Sequence, residues 1–162
     1  MNIAKFEKVS KNQFKNDLIN LVNLDDDAIY DNIVIPYRAT SGSAGYDFTI
    51  PFTATIKPNE MVKIPTGIRA YIEDGYVLHI YPRSSLGIKY ELSLANTVGI
   101  IDADYYNAKN EGHIIVALVN HGDKEITLNK GERIVQGLFL KFYTADEKEV
   151  TTKRIGGFGS SN

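Results

Sequence analysis

The chain has 162 residues, 43% of them hydrophobic and 23% charged, enough apolar material for one domain with a real core. Its 18 basic and 20 acidic residues are mixed along the sequence, for a net charge of −2, so no basic block marks a duplex-binding surface and no nucleic-acid partner is expected. No apolar run approaches the ~18 residues a membrane span needs, the start MNIAKFEKVSK lacks a signal-peptide core, and the absence of cysteine excludes disulfides, thiol catalysis and thiolate metal sites. The expectation is a cytoplasmic protein with no membrane partner. An anionic ligand would be held by a few placed groups, and a cation by oxygens.

Residues 10–22, SKNQFKNDLINLV, read as a helix. Ser10 followed by Gln13 is a capping-box pattern, and Phe14, Leu18, Leu21 and Val22 form one apolar stripe. The acidic run Asp25–Asp27 ends this segment as a solvated loop. From Ile33 onward, short β-branched and aromatic runs alternate with turn residues. The predicted strands are Tyr46–Ile50, Thr53–Ile56, Met61–Ile64, Gly67–Tyr71, Tyr76–Tyr81, His113–Asn120 and Ile134–Phe142. Their spacing predicts an all-β sandwich or barrel-like fold. Ile114–Val119 is apolar without alternation, which predicts burial on both faces, one of them covered by another subunit. After Thr144 the chain turns polar and ends in RIGGFGSSN, where Phe158 stands alone in a glycine-rich tail.

Three segments could carry chemistry. Pro82–Gly87 (PRSSLG) supplies a guanidinium fork, two hydroxyls and a glycine after a strand; it fits a phosphate cradle and equally a turn closing the strand. Asn96–Tyr105 holds Asp102 and Asp104 around a hairpin-like segment. Asp102 follows an apolar pair, the setting in which a carboxylate serves as a general base; the alternative is two ordinary turn residues. Lys130–Gln136 opens a strand after a turn, with Gln136 facing inward in need of a partner and Arg133 in a structural role. His113 and His121 are read as surface or core residues.

Taken in order, Ser43–Asp47 (SAGYD), Pro82–Gly87, Asn96–Tyr105, Gly131–Gln136 (GERIVQ) and Gly156–Ser160 (GGFGS) resemble the five ordered motifs of the trimeric dUTP pyrophosphatase (dUTPase) family. The match runs from about Ile35 to the C-terminus. The resemblance implies a jelly-roll-like β domain over residues 1–155, with residues 1–32 as an N-terminal extension and 156–162 as a mobile arm. It implies a homotrimer with shared active sites that hydrolyse dUTP to dUMP and pyrophosphate, limiting uracil incorporation into DNA and supplying dUMP for thymidylate synthesis.

In that family plan Asp102 orients and activates the water that attacks the α-phosphorus. Tyr105 packs against the deoxyribose, the backbone from Gly99 through Ile101 to Asp102 reads the uracil edge, and Asn96 orders water near the base. Arg83, Ser84, Ser85, Gly87 and Gln136 hold the phosphates. Mg2+ bridges the phosphates through waters, with Asp47 in the surrounding network. The arm brings Phe158 onto the uracil and Gly159 and Ser160 to the phosphates, while Lys153 or Arg154 meets the γ-phosphate.

The chain departs from the family in three places. Arg154 stands only two residues before Gly156, Tyr106–Glu111 replaces a much shorter turn, and residues 1–30 are similar to extended forms in Gram-positive bacteria and their phages. Two rival readings follow. One is a dCTP deaminase, which would place a catalytic Glu about where Ala117 stands. The other is an added regulatory protein partner docking on the loop or the N-terminal helix.

Overall fold

The computed structural model describes residues 2–146 together with Thr151, Thr152, Arg154, Gly156 and Gly157. Phe158, Gly159, Ser160 and Lys153 lie outside the described residues.

The first strand, β1 (Ala4–Lys8), leads into helix α1 (Lys11–Val22). Ser10 caps α1, its hydroxyl accepting from the Gln13 amide, but the capping box is not closed locally. Gln13 reaches forward to Asp17 at 2.8 Å, and the Ser10 amide is taken by Glu111 at 2.7 Å. Phe14 and Leu18 of the apolar stripe are buried. The Asp25–Asp27 run leads into a 3-10 helix, Asp27–Asn32, capped by the Asp26 side chain.

The β fold follows, with β2 (Tyr46–Thr49), β3 (Ala54–Ile56), β4 (Met61–Pro65), β5 (Ile68–Ile72) and β6 (Tyr76–Pro82). Helix α2 (Ser84–Tyr90) separates β6 from β7 (Leu92–Leu94) and β8 (Gly99–Ile101). A 3-10 helix, Ala103–Asn107, precedes β9 (Ile115–Asn120), β10 (Ile126–Leu128) and β11 (Arg133–Lys141). Every pairing is antiparallel: a four-stranded sheet β2-β11-β6-β8, a three-stranded sheet β4-β9-β7, and the pairs β1-β5 and β10-β3. The architecture is a mostly β, jelly-roll-like fold.

The predicted strands all form, with ends shifted by a residue or two. His113 and Ile114 are the larger exception. They leave the strand because Ile114 exchanges backbone hydrogen bonds with Thr66 and Ile68 across the start of β5. Short β1, β7, β8 and β10 escaped the sequence reading, since three to five residues carry too little periodicity. Asn96–Tyr105 is not a hairpin: it holds β8, which pairs with β6, and the start of the 3-10 helix, while β7 before it pairs with β9 in the other sheet. Pro82–Gly87 is not a simple turn either, because Ser84 opens α2.

One apolar cluster joins the sheets, running from Val9, Phe14 and Leu18 to Ile64, Leu78, Leu118 and Ile134. The N-terminal extension belongs to it. Phe6 of β1 sits with its ring centroid 5.3–5.5 Å from those of Tyr46, Phe48 and Phe139. Burying Phe14 and Leu18 stabilises the docked helix by about 1.5–3 kcal/mol per side chain. Ile114 just before β9, and Val116 and Leu118 within it, face this core, whereas Ile115 and Val119 stay half-buried.

Glu7 anchors β1 at the surface, taking an ion pair from Lys5 at 2.8 Å and a hydrogen bond from the Tyr106 hydroxyl at 2.5 Å. These contacts, Lys5 foremost, lower the Glu7 pKa from 4.5 to about 2. A depressed carboxylate contributes stability above its unfolded pKa and loses it as pH falls through the folded value. The melting-temperature gap between wild type and Glu7→Gln should therefore be constant above about pH 5 and close as pH is lowered toward about 2. A gap independent of pH would show that the charge on Glu7 contributes nothing.

Candidate active site

The parting of β7 and β8 creates the site. Residues 95–98 cross from the three-stranded sheet to the four-stranded one, and a cavity of about 310 Å³ lies in the gap. Its walls are Ile80 of β6, Leu94 of β7, Asn96, Val98, Gly99–Ile101 of β8, Tyr105, Ile114, and Ile115–Ala117 at the start of β9. Arg154 and Gly157 also line it. Because β8 is an edge strand, one side of its backbone is hydrogen-bonded to β6 and the other has no strand partner among the described residues. A pocket with aliphatic side chains in its walls and such a backbone edge can bury a flat ring and pair with its polar rim.

Tyr105 is the most rigidly held wall. Its hydroxyl donates to the His113 carbonyl at 2.8 Å and accepts from the Asn110 amide at 2.8 Å. Burial pushes the phenol pKa up, so it remains a neutral donor. Gly157 packs on the ring so closely that a Cβ there would lie 2.9 Å from Tyr105 Cε2.

Asp102 stands between Ile101 and the 3-10 helix that carries Tyr105, with its side chain about half exposed. Its carboxylate is paired with Arg154 Nη2, while Arg154 Nε bonds Asp104 Oδ1 at 2.7 Å. Asn96 is exposed at the crossing, its neighbour Thr97 holding a left-handed φ of 66°.

The remaining predicted residues form a second group that does not line the cavity. Asp47 on β2 is buried, and both its oxygens are engaged: Oδ1 by Arg83 Nε and Oδ2 by Arg133 Nη1, each at 3.1 Å. A register shift between Arg133 and Val135 turns Arg133 toward Asp47 and brings Gln136 level with it. Gln136 reaches the Pro82 carbonyl at 3.5 Å. It can do so because Gly45 has no side chain: a Cβ there would lie 2.6 Å from Gln136 Oε1. Ser84 and Ser85 are exposed in the first turn of α2, which has no side-chain cap. Gly87 is exposed, and a Cβ would find room there.

Sequence reasoning missed the supports of this arrangement. Asn110 and His113 hold Tyr105, and Arg133 shares Asp47 with Arg83. Asp47 lies far in sequence from both arginines, and the Tyr105 contacts, though local, form only in the folded turn of residues 105–113, one of them on a backbone carbonyl. Among the described residues, no cluster of three His, Cys, Asp or Glu could hold a metal ion.

Fold and site define a β-sheet protein with a ring-sized cavity between two sheets, a carboxylate at the cavity's edge and a separate arginine–serine–glutamine cluster. Residues 31–162 match the family model for dUTPase. The chain belongs to the dUTPase family. It is 44% identical over 164 residues to a deoxyuridine 5'-triphosphate nucleotidohydrolase of Lactococcus lactis subsp. lactis, with 99% of each chain covered. It is similar to the crystal structure of dUTPase from Streptococcus mutans, with a TM-score of 0.69 at 36% identity, covering 88% of this chain and 98% of that one. It shares its fold with a dUTPase from phage phi11 of S. aureus that coordinates a structural Mg(II) ion, at 19% identity and a TM-score of 0.67, covering 93% of this chain and 97% of that one. No described helix is long and apolar enough to cross a membrane.

Gly99 carries a prediction. A Cβ at Gly99 would meet Ile80 Cβ at 3.0 Å inside the four-stranded sheet, whereas one at Gly45 would meet the end of a movable glutamine. Gly99→Ala should lower the unfolding free energy by about 1–3 kcal/mol in chemical denaturation, as overpacking does, and Gly45→Ala by clearly less. Equal losses would mean that β8 adapts as easily as Gln136.

Proposed function

We propose that the chain hydrolyses dUTP to dUMP and pyrophosphate in sites shared between the subunits of a homotrimer. The observation that carries this reading is the cavity itself, where the open edge of β8, the Tyr105 ring and Arg154 meet, with the Asp102 carboxylate paired to Arg154 and next in sequence to the wall residue Ile101. The uracil ring enters between the sheets, its polar rim paired with backbone groups of Gly99–Ile101. The deoxyribose lies on Tyr105, which leaves no space for a 2′-hydroxyl. The α-phosphate is then presented beside Asp102.

Asp102 accepts a proton from a water molecule whose oxygen attacks the α-phosphorus. The bond to the bridging oxygen of the β-phosphate breaks, and pyrophosphate leaves with that electron pair. Arg154, held by Asp102 and Asp104 in the free chain, transfers to the more highly charged triphosphate and frees the base. Residues 156–162 form the arm that closes behind it, with Phe158 on the uracil and Gly159 and Ser160 at the phosphates.

Arg83, Ser84, Ser85, Gly87 and Gln136 receive the phosphates. Asp47 locks the Arg83 and Arg133 guanidinium groups in place, so neither pays the full cost of ordering on binding. With both its oxygens committed, Asp47 acts on a metal only through its neighbours. The described residues suit an ion that arrives on the substrate rather than one caged by protein. Mg2+ carried by the triphosphate would lower the charge met by the nucleophile.

The trimer reading rests on two features. The phosphate-binding group does not line the cavity of its own chain, and Ile115 and Val119 of β9 stay half-buried. A second chain supplies the missing half and covers the strand. A deaminase reading is disfavoured because Ala117, which lines the cavity, offers no carboxylate. In the Tyr106–Glu111 loop, Tyr106 and Glu111 bond Glu7 and Ser10 of the N-terminal extension.

Asp102→Asn should lower kcat by ~10²–10⁴-fold with little change in dUTP affinity. Retention of more than about a tenth of wild-type kcat would remove Asp102 as the base. The shared site has its own check. Arg83→Ala and Asp102→Asn proteins, each inactive alone, should on co-refolding in equal amounts recover about a quarter of wild-type activity by random assortment of subunits. Recovery of nothing would place both residues in one subunit's site.

A further inference from the structure

The N-terminal extension lies almost wholly outside the part of the chain that matches the family model, yet three of its side chains reach the segment next to the cavity. Asp17 on α1 accepts from the fully buried His113 ring, Oδ2 to Nδ1 at 2.5 Å. The other ring nitrogen, Nε2, accepts from the Gly67 amide at 2.8 Å, which puts the proton on Nδ1. Ser10 holds both oxygens of Glu111, through its amide at 2.7 Å and its hydroxyl at 2.6 Å. Glu7 takes the Tyr106 hydroxyl, while Arg69 lies 4.2 Å over the Tyr106 ring.

These contacts grip residues 106–113 at both ends and in the middle. That segment is what holds Tyr105. His113 supplies the carbonyl to which the phenol donates, and Asn110 supplies the amide it accepts from. The turn has little slack. Glu111 and Gly112 are both left-handed, at φ 59° and 70°, and a Cβ on Gly112 would lie 2.6 Å from the Tyr105 carbonyl. A shift of His113 therefore moves the Tyr105 hydroxyl with it.

We infer that helix α1 and the 106–111 loop together form a positioning element for the sugar pocket, in which Asp17, through His113, sets where the Tyr105 ring stands. The extension thus acts on substrate selection without touching substrate. The inference rests on the reading of Tyr105 as the wall that excludes a 2′-hydroxyl. Asp17 is a positioning residue: its carboxylate orients an imidazole that in turn presents one carbonyl oxygen. An uncharged acceptor of the same shape does the same work, so Asn at position 17 keeps the bond and Ala loses it.

The test compares kcat/KM for dUTP and for UTP in Tyr105→Ala, Asp17→Ala, Asp17→Asn and Ile56→Ala, the last a core truncation in β3 as a control for general destabilisation. The dUTP-to-UTP ratio should collapse in Tyr105→Ala and fall by roughly tenfold in Asp17→Ala, less than the ~10²-fold that a 1 Å misplacement can cost. It should return to near wild type in Asp17→Asn and stay at wild type in Ile56→Ala. If Asp17→Ala does not fold, Glu111→Ala at the loop surface should move the ratio the same way by a smaller factor. An unchanged ratio in Tyr105→Ala would overturn the sugar-wall reading and the inference with it. A ratio altered in Tyr105→Ala but unchanged in Asp17→Ala and Glu111→Ala would overturn the inference alone. Equal changes in Asp17→Ala and Ile56→Ala would reduce Asp17 to a stability role and overturn it as well.

Discussion

A buried imidazole must satisfy both of its nitrogens, and His113 does so by reaching two distant parts of the chain. Nδ1 goes to Asp17 on α1, and Nε2 takes the amide of Gly67 at the entry to β5. Its own carbonyl receives the Tyr105 phenol. One residue therefore joins the N-terminal helix, the start of a strand and the wall of the cavity. Removing any one of these partners would strand a polar group away from water, at a cost of about 1–3 kcal/mol. The Asp17 carboxylate is held below its ordinary pKa despite partial burial, because the hydrogen bonds from His113 and Gln13 outweigh the desolvation.

The same economy appears at Asp47. A buried carboxylate is costly alone, but here it takes one guanidinium on each oxygen and fixes both arginines in direction. The bulge in β11 makes this possible by turning Arg133 to the Asp47 side of the sheet. Two buried polar centres, one around His113 and one around Asp47, thus organise the two halves of the candidate site. The first supports the Tyr105 wall of the cavity and the second fixes two arginines beside Asp47. They lie apart within one chain, and closing them on one substrate is the physical reason for assembly in the proposed trimer.

The cavity depends on a topological detail. Had β7 and β8 formed a hairpin, the edge of β8 would be spent on β7 and the space between the sheets would close. Because they join different sheets, the crossing at 95–98 holds the gap open and leaves one edge of β8 unpaired. The cost is a left-handed Thr97 and a tight position 99, where a Cβ would lie 3.0 Å from Ile80 Cβ.

Local physics in the sequence determined a good deal of this protein. Ser10 and the Phe14–Leu18 stripe specified α1, because capping and a 3.6-residue period act within a few residues. The longer strands were specified by composition and turn residues, and the unbroken apolar run of β9 by its need for cover. The order of the five segments from Ser43–Asp47 to Gly156–Ser160 was enough to point to the dUTPase family. Tertiary structure alone decided which sheet each of β7 and β8 joins, that Asp47 binds two arginines, and that Asp17 finds His113. These pairings span dozens of residues, and neither propensity nor periodicity encodes a partner at that distance. They are chosen when the core closes, because only then does an unpaired buried polar group become expensive.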